Sequence, residues 1–249
     1  MSNLKTYFVW DLSIRWFHWI NFLCVLGLIA IGVVILNAKV LGVSTDGKIL
    51  LKTIHVWIGY VFVLNLLWRL VWAFVGTQYA RWRAILPGGK GYIKETRAYI
   101  ADFKAGRPGQ YLGHNPLGKI AVTLLLFMLL MQAITGLVLA GTDIFYPPFG
   151  SWIASWIAKS GVDPATLLPY AKEMYDTAAY DAMRDFRKPF ITIHYYGFYT
   201  LLGLIVLHIL AVVITELRGE SNLISAMFSG KKILSDTPAD KTISGTDQV

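Results

Sequence analysis

The amino-acid sequence predicts an all-α integral membrane protein, a four-transmembrane-helix bundle with interfacial helices in its long loops. Three observations carry this reading. The 249 residues are 55% hydrophobic and only 15% charged, against about 25% charged in soluble proteins, so the average surface suits lipid. Four apolar stretches, residues 16–36, 54–75, 120–140 and 190–215, each approach or exceed the roughly 20 residues that cross about 30 Å of hydrocarbon. The basic residues are unevenly placed: with the N-terminus inside, fifteen of the 23 Lys and Arg fall in inner segments or at inner helix ends, and eight in the two outer loops. Positive charge collects in cytoplasmic loops. The rule accounts for the net charge of +8 without nucleic acid and puts both termini in the cytoplasm of a multi-pass, single-domain chain, residues 1–249.

Taken in order, residues 1–15 are a short polar lead. The first apolar span is an anchor rather than a cleavable signal: it is some twenty residues long, opens with Arg15, Trp16 and His18, and lacks a convincing small-residue cleavage site. Cys24, the only cysteine, lies in this span. One thiol cannot close an intramolecular disulfide, hold an iron-sulfur cluster through several thiolates, or make the paired-cysteine attachment of haem. Residues 37–53 form a modest outer loop with Gly42 and Gly47 as turn residues.

The inner connection, residues 76–116, places Tyr92, Ile93, Tyr99, Ile100 and Phe103 at helical spacing beside Lys94, Arg97 and Lys104. That pattern fits an amphipathic helix on the lipid face, and equally a partner's docking surface. In the outer connection, residues 141–189, Trp152, Ile153, Trp156 and Ile157 predict a short interfacial helix, and Asp163 with Pro164 a cap and first turn of another. An ordered cap is expected here, either a dock for an extrinsic redox partner or a cover over the bundle. Beyond Arg218 a surface helix is expected near Leu223–Phe228, then a disordered polar tail over about 235–249.

The histidines carry the chemistry. His194 and His208 stand fourteen residues apart in the last span, close to four helical turns, so both imidazoles face one side roughly 21 Å apart along the axis. Alternating helix direction sets the depth of the others: His18 is inner, His55 outer, His194 outer and His208 inner. They resolve into an inner pair, His18 with His208, and an outer pair, His55 with His194. A single histidine in a membrane helix is often a hydrogen-bonding core residue or part of a proton path. Four that match in depth point instead to two haems, each with both axial positions filled and suited to electron transfer rather than oxygen chemistry. A haem-free alternative uses the same histidines to carry a soft metal or protons. Gly27, Gly59 and Gly197 are places where a porphyrin can approach a helix. Arg15 and Arg69 hold permanent charges at inner helix ends, to pair with a propionate of the inner haem or to snorkel to lipid phosphate.

The runs Trp10-Asp11-Leu12-Ser13-Ile14-Arg15-Trp16-Phe17-His18-Trp19, Ile54-His55-Val56-Trp57-Ile58-Gly59, Arg69-Leu70-Val71-Trp72-Ala73-Phe74-Val75-Gly76 and Gly113-His114-Asn115-Pro116-Leu117-Gly118 together resemble the di-haem cytochrome b subunit of membrane-bound nickel-iron hydrogenases. This broad family includes free-standing bacterial cytochromes b, and the membrane subunit of respiratory formate dehydrogenase is a relative. The likeness extends over nearly the whole chain. It implies two non-covalent b haems on His18, His208, His55 and His194, residence in the bacterial cytoplasmic (inner) membrane, and a redox relay rather than a complete enzyme. Electrons would pass from a periplasmic-side partner, a hydrogenase small subunit or another redox protein, to quinone in the bilayer. The alternative direction oxidises quinol and donates to a periplasmic cytochrome c. By the same analogy quinone binds near His208, where His114 can relay a proton and Asn115 hydrogen-bond a quinone carbonyl, with Gly118 close by; the competing reading is a turn fixed by Asn115-Pro116 with His114 solvated. The long outer loop and polar tail depart from the family pattern and leave the partner open.

Overall fold

A computed structural model describes residues 4–107, 109–218 and 222–240. Its elements run β1 (Lys5–Phe8), α1 (Leu12–Leu36), α2 (Thr45–Val75), α3 (Trp82–Ile85), α4 (Tyr92–Lys104), α5 (Pro116–Ile144), α6 (Gly150–Ile157), α7 (Thr177–Leu217), α8 (Leu223–Ser229) and β2 (Lys231–Leu234). Helices α1, α2, α5 and α7 are long and apolar enough to cross a membrane, in keeping with the all-α membrane class. Leu23, Leu26, Leu64, Phe74, Phe127 and Leu207 stay exposed along them; in water such a surface would be costly, in hydrocarbon it is the solvated face.

All four helices outrun the apolar stretches that announce them, because their starts are set by capping rather than hydropathy. Asp11 accepts the Ile14 N–H at 2.9 Å, Ser44 Oγ the Gly47 N–H at 3.1 Å, Asn115 Oδ1 the Gly118 N–H at 2.7 Å and Asp176 the Ala179 N–H at 2.8 Å. Each satisfies a backbone donor that the first helical turn leaves orphaned. Pro116 occupies the first helical position of α5, where its missing N–H costs nothing. Pro189 lies inside α7; it does not begin the helix, as the apolar pattern suggests, but interrupts one that starts twelve residues earlier.

The chain divides into two compact units, each with a share of all four long helices. The first comprises Met1–Trp19, Trp68–Phe127 and Leu202–Val249. Its core joins Val9, Trp10, Ile14, Ala80, Leu112, Ala226 and Leu234. Strands β1 and β2 pair antiparallel, Lys5 opposite Leu234 and Phe8 opposite Lys231, a contact between distant segments that no pattern in the sequence announces. Asp11 gathers the helix ends, taking the Trp72 indole N–H at 3.0 Å and the Thr77 hydroxyl at 2.6 Å. Burial works to raise its pKa, yet these hydrogen bonds and that from Ile14 prevail and hold the carboxyl below its usual range. Residues 235–240, expected to be disordered, are bonded to the 110–113 loop: Ala239 N–H to Gln110 O at 2.9 Å, and Asp240 to the Leu112 and Gly113 N–H groups at 2.7 Å each. The rest of that tail, 241–249, lies outside the described residues.

The second unit comprises Ile20–Leu67 and Met128–Leu201. The long connection after α5 is ordered here, with Ile153 and Ile157 of α6 fully buried against Leu167, Tyr175 and Met183. Asp163 caps the next segment as expected, but Pro164–Thr166 makes only a single 3-10 turn. Helices α4 and α8 appear where the aromatic spacing and the Leu223–Phe228 pattern place them.

Candidate functional site

Each unit holds one histidine pair. In the second unit, α2 brings His55 and α7 brings His194 to a ring-centre separation of 6.4 Å, the planes crossing at 73°. A metal ion bound by two imidazoles fits that spacing: metal–nitrogen bonds of about 2 Å, and about 1 Å more from each nitrogen to its ring centre, reach about 6 Å. The rings border a cavity of about 230 Å³ whose walls are almost entirely apolar, among them Leu28, Val56, Phe62, Leu129 and Phe198. Three glycines open it. A Cβ on Gly32 of α1 would stand 3.6 Å from His55 Cε1, one on Gly136 of α5 would stand 3.5 Å from His194 Cε1, and Gly59 faces free space.

The second ring nitrogen decides what the first can do. His194 Nδ1 lies 2.9 Å from the Thr135 hydroxyl, and Gln132 donates to the His194 carbonyl at 3.1 Å. The hydroxyl itself sits 2.8 Å from the Met131 carbonyl and 3.3 Å from that of Gln132. In the tautomer where Nδ1–H donates to Thr135, Nε2 keeps its lone pair for a metal. His55 Nδ1 is buried without a hydrogen-bond partner among the described residues. An amphipathic, planar group with a metal at its centre fits this set: two imidazoles, a greasy slot, and small residues where a flat face must approach the helices.

In the first unit α1 carries His18 and α7 carries His208. His18 Nδ1, Arg15 Nε and Arg69 Nη1 are all buried and lack hydrogen-bond partners among the described residues. Arg15 Nη1 donates to the Phe228 carbonyl. Arg69 is 6% exposed, and its guanidinium carbon sits 5.9 Å from the Phe17 ring centre. Buried, unpaired donors on permanent cations are costly, and an anionic ligand beside the histidines would satisfy them.

His114 is half-buried, its Nδ1 shut off from solvent without a hydrogen-bond partner among the described residues and its ring 5.2 Å from the Trp10 ring centre; burial first, then the charges of Lys232, Arg69, Lys119 and His208, lowers its pKa to about 3, so the ring is neutral at physiological pH. The loop that carries it is held by Lys232, 2% exposed, whose ammonium donates to the Tyr111 and Gly113 carbonyls at 3.1 and 3.0 Å. Asn115 has both polar ends occupied, donating to Tyr99 Oη at 2.7 Å and capping Gly118. Gly118 is pressed against that cap, a Cβ there falling 3.1 Å from Asn115 Oδ1. Asn115 and Gly118 therefore serve the turn that carries His114.

Of the glycines singled out by sequence, only Gly59 faces the cavity. Gly27 packs against Ile58 and Gly197 against Met131 and Gln132, so these two serve helix packing. Gly32 and Gly136 escape a search for glycines near histidines because they lie on the helices that carry no ligand of this pair. Among the described residues no group of three or more His, Cys, Asp or Glu is placed to hold a metal ion. We expect Gly136→Ala to leave the cavity usable and Gly136→Leu to fill it, removing the ligand bound at His55 and His194 while sparing the other pair; cofactor content of the purified variants measures this.

A family model described as prokaryotic cytochrome b561 matches residues 9–230. A "Probable Ni/Fe-hydrogenase B-type cytochrome subunit" of Rhizobium leguminosarum bv. viciae is 27% identical over 247 residues, covering 93% of this chain and 91% of that protein. One from Cupriavidus necator is 22% identical, covering 94% and 90%. A "Probable Ni/Fe-hydrogenase 1 B-type cytochrome subunit" of Escherichia coli K12 is 32% identical over 158 residues, covering 59% of this chain and 66% of its own. No solved structure matches.

Proposed function

We propose, since the chain belongs to the prokaryotic cytochrome b561 family, that it is a membrane electron relay with two non-covalent b haems, one on His18 and His208 and the other on His55 and His194. The observation that carries this is the 6.4 Å spacing of the His55 and His194 rings beside a glycine-opened apolar cavity. Bound haem supplies one-electron redox chemistry. The chain's own part would be to hold each haem iron between two imidazoles, those of His18 and His208 or of His55 and His194, for electron transfer. Thr135 fixes the orientation of His194, and the apolar walls exclude water.

Relatives that span nearly the same length are named as hydrogenase cytochrome subunits. That supports a nickel-iron hydrogenase as the partner; its small subunit as the contact on the periplasmic side of the bacterial inner membrane, and both termini in the cytoplasm, follow from the sequence resemblance and the distribution of Lys and Arg. Electrons then leave from the His18 and His208 pair to quinone, whose reduction needs protons as well. We place quinone beside His114, with Asn115 and Gly118 holding the loop.

The test is reduction of the purified cytochrome in mild detergent with a quinone analogue present. Hydrogen should reduce haem and quinone only when the hydrogenase is bound. Reduction of the haems by quinol with onward transfer to a cytochrome c, and none from hydrogen, would reverse the flow. A colourless, correctly folded protein would return the histidines to metal or proton transport.

A further inference from the structure

We propose that Lys52, Asp143 and Arg187 form a carboxylate-receiving site at the edge of the His55 and His194 cavity, taking an anionic arm of the porphyrin and setting the potential of that iron. The inference rests on the axial reading of those two histidines. Among the described residues, Lys52 and Asp143 are the only charged ones that line the otherwise apolar cavity. Helix geometry relates each to the site: Lys52 precedes His55 by three residues, Asp143 follows Gly136 by seven, and Arg187, which does not line the cavity itself but pairs with Asp143, precedes His194 by seven. Each interval returns a side chain to the same helix face.

The three groups are in contact, Lys52 Nζ and Arg187 Nε each 2.5 Å from a different Asp143 oxygen. Two cations share one anion, so the cluster is one positive charge in excess within a poorly solvated setting, where an uncompensated charge is expensive. Lys52 gives one ammonium proton to Asp143 and also engages Tyr170, its Nζ 5.3 Å from that ring's centre, which leaves a further proton, and Arg187 keeps both terminal nitrogens. A second carboxylate at the cavity mouth would balance the charge and use those donors. The cavity thus has an apolar body and a cationic lip, the polarity of an amphipathic macrocycle with acid side arms. Asp143 acts here as a positioning residue, holding the two cations toward the lip.

Potentiometric titration of the full-length cytochrome in detergent, followed at the reduced α-band, tests this. The component that disappears in His55→Ala identifies the iron in question. Lys52→Met removes a positive charge, which favours the oxidised iron, and is expected to shift that component's midpoint downward while leaving the other in place. Arg187→Gln should do the same, and Asp143→Asn the reverse. Opposite signs are the signature of charge, since loosened packing would move all variants one way. If Asp143→Asn does not accumulate, the two downward shifts still decide the matter. Midpoints unmoved by Lys52→Met and Arg187→Gln, with both haems present, overturn this proposal alone. A wild-type protein without haem overturns it together with the axial reading.

Discussion

Replacing His194 with alanine halves the haem content of the purified protein, and His55→Ala gives the same product. In the proposed relay each imidazole would supply one of two bonds to a shared iron, and the one left in a cavity with a missing wall would hold porphyrin poorly. Because the two histidines act as a unit, the double variant His55→Ala/His194→Ala should be no worse than either single one. The double variant His55→Ala/His18→Ala takes one ligand from each pair and should be nearly colourless. Haem per polypeptide, measured on folded material from size-exclusion chromatography, checks the pattern. Additive losses from residues of the same pair would mean that the histidines do not share an iron.

The second large effect is on stability. Asp143→Leu leaves Lys52 and Arg187 partly buried, at 20% and 23% side-chain exposure, without their common counter-ion, and is expected to cost about 3–5 kcal/mol, the range for breaking buried ion pairs. Removing all three charges together, as Lys52→Met/Asp143→Leu/Arg187→Met, should cost less than Asp143→Leu alone, because no orphaned cation remains. Denaturant unfolding in detergent, monitored by helical signal, compares the two. A triple variant less stable than the single one would show that Lys52 and Arg187 are held by packing rather than by charge.

Much of this arrangement is legible in the chain. The spans follow from apolar length, and the pairing of the histidines from helix direction and their positions. The true helix starts are legible too, in Asp11, Ser44, Asn115 and Asp176, once capping is weighed beside hydropathy. What sequence cannot supply is contact between segments far apart. Strands β1 and β2 are four residues each, more than two hundred positions apart, with no alternation to announce a sheet. Gly32 and Gly136 are two glycines among 22, and only the fold puts them against His55 and His194. Lys52, Asp143 and Arg187 read as ordinary charges near helix ends until three helices bring them together. A family likeness alone places His114 near His208; its partial burial depends on Lys232 and the returning C-terminal segment, whose polar composition reads as disorder.

The most direct measurement is the haem content of the intact chain: a reduced-minus-oxidised spectrum with haem extracted and quantified per polypeptide. Two haems per chain, released by acidic acetone without a covalent remainder and giving a b-type pyridine haemochrome, are the predicted result. No haem in folded protein, a single haem that survives loss of either histidine pair, or haem that stays with the polypeptide after extraction would contradict the account.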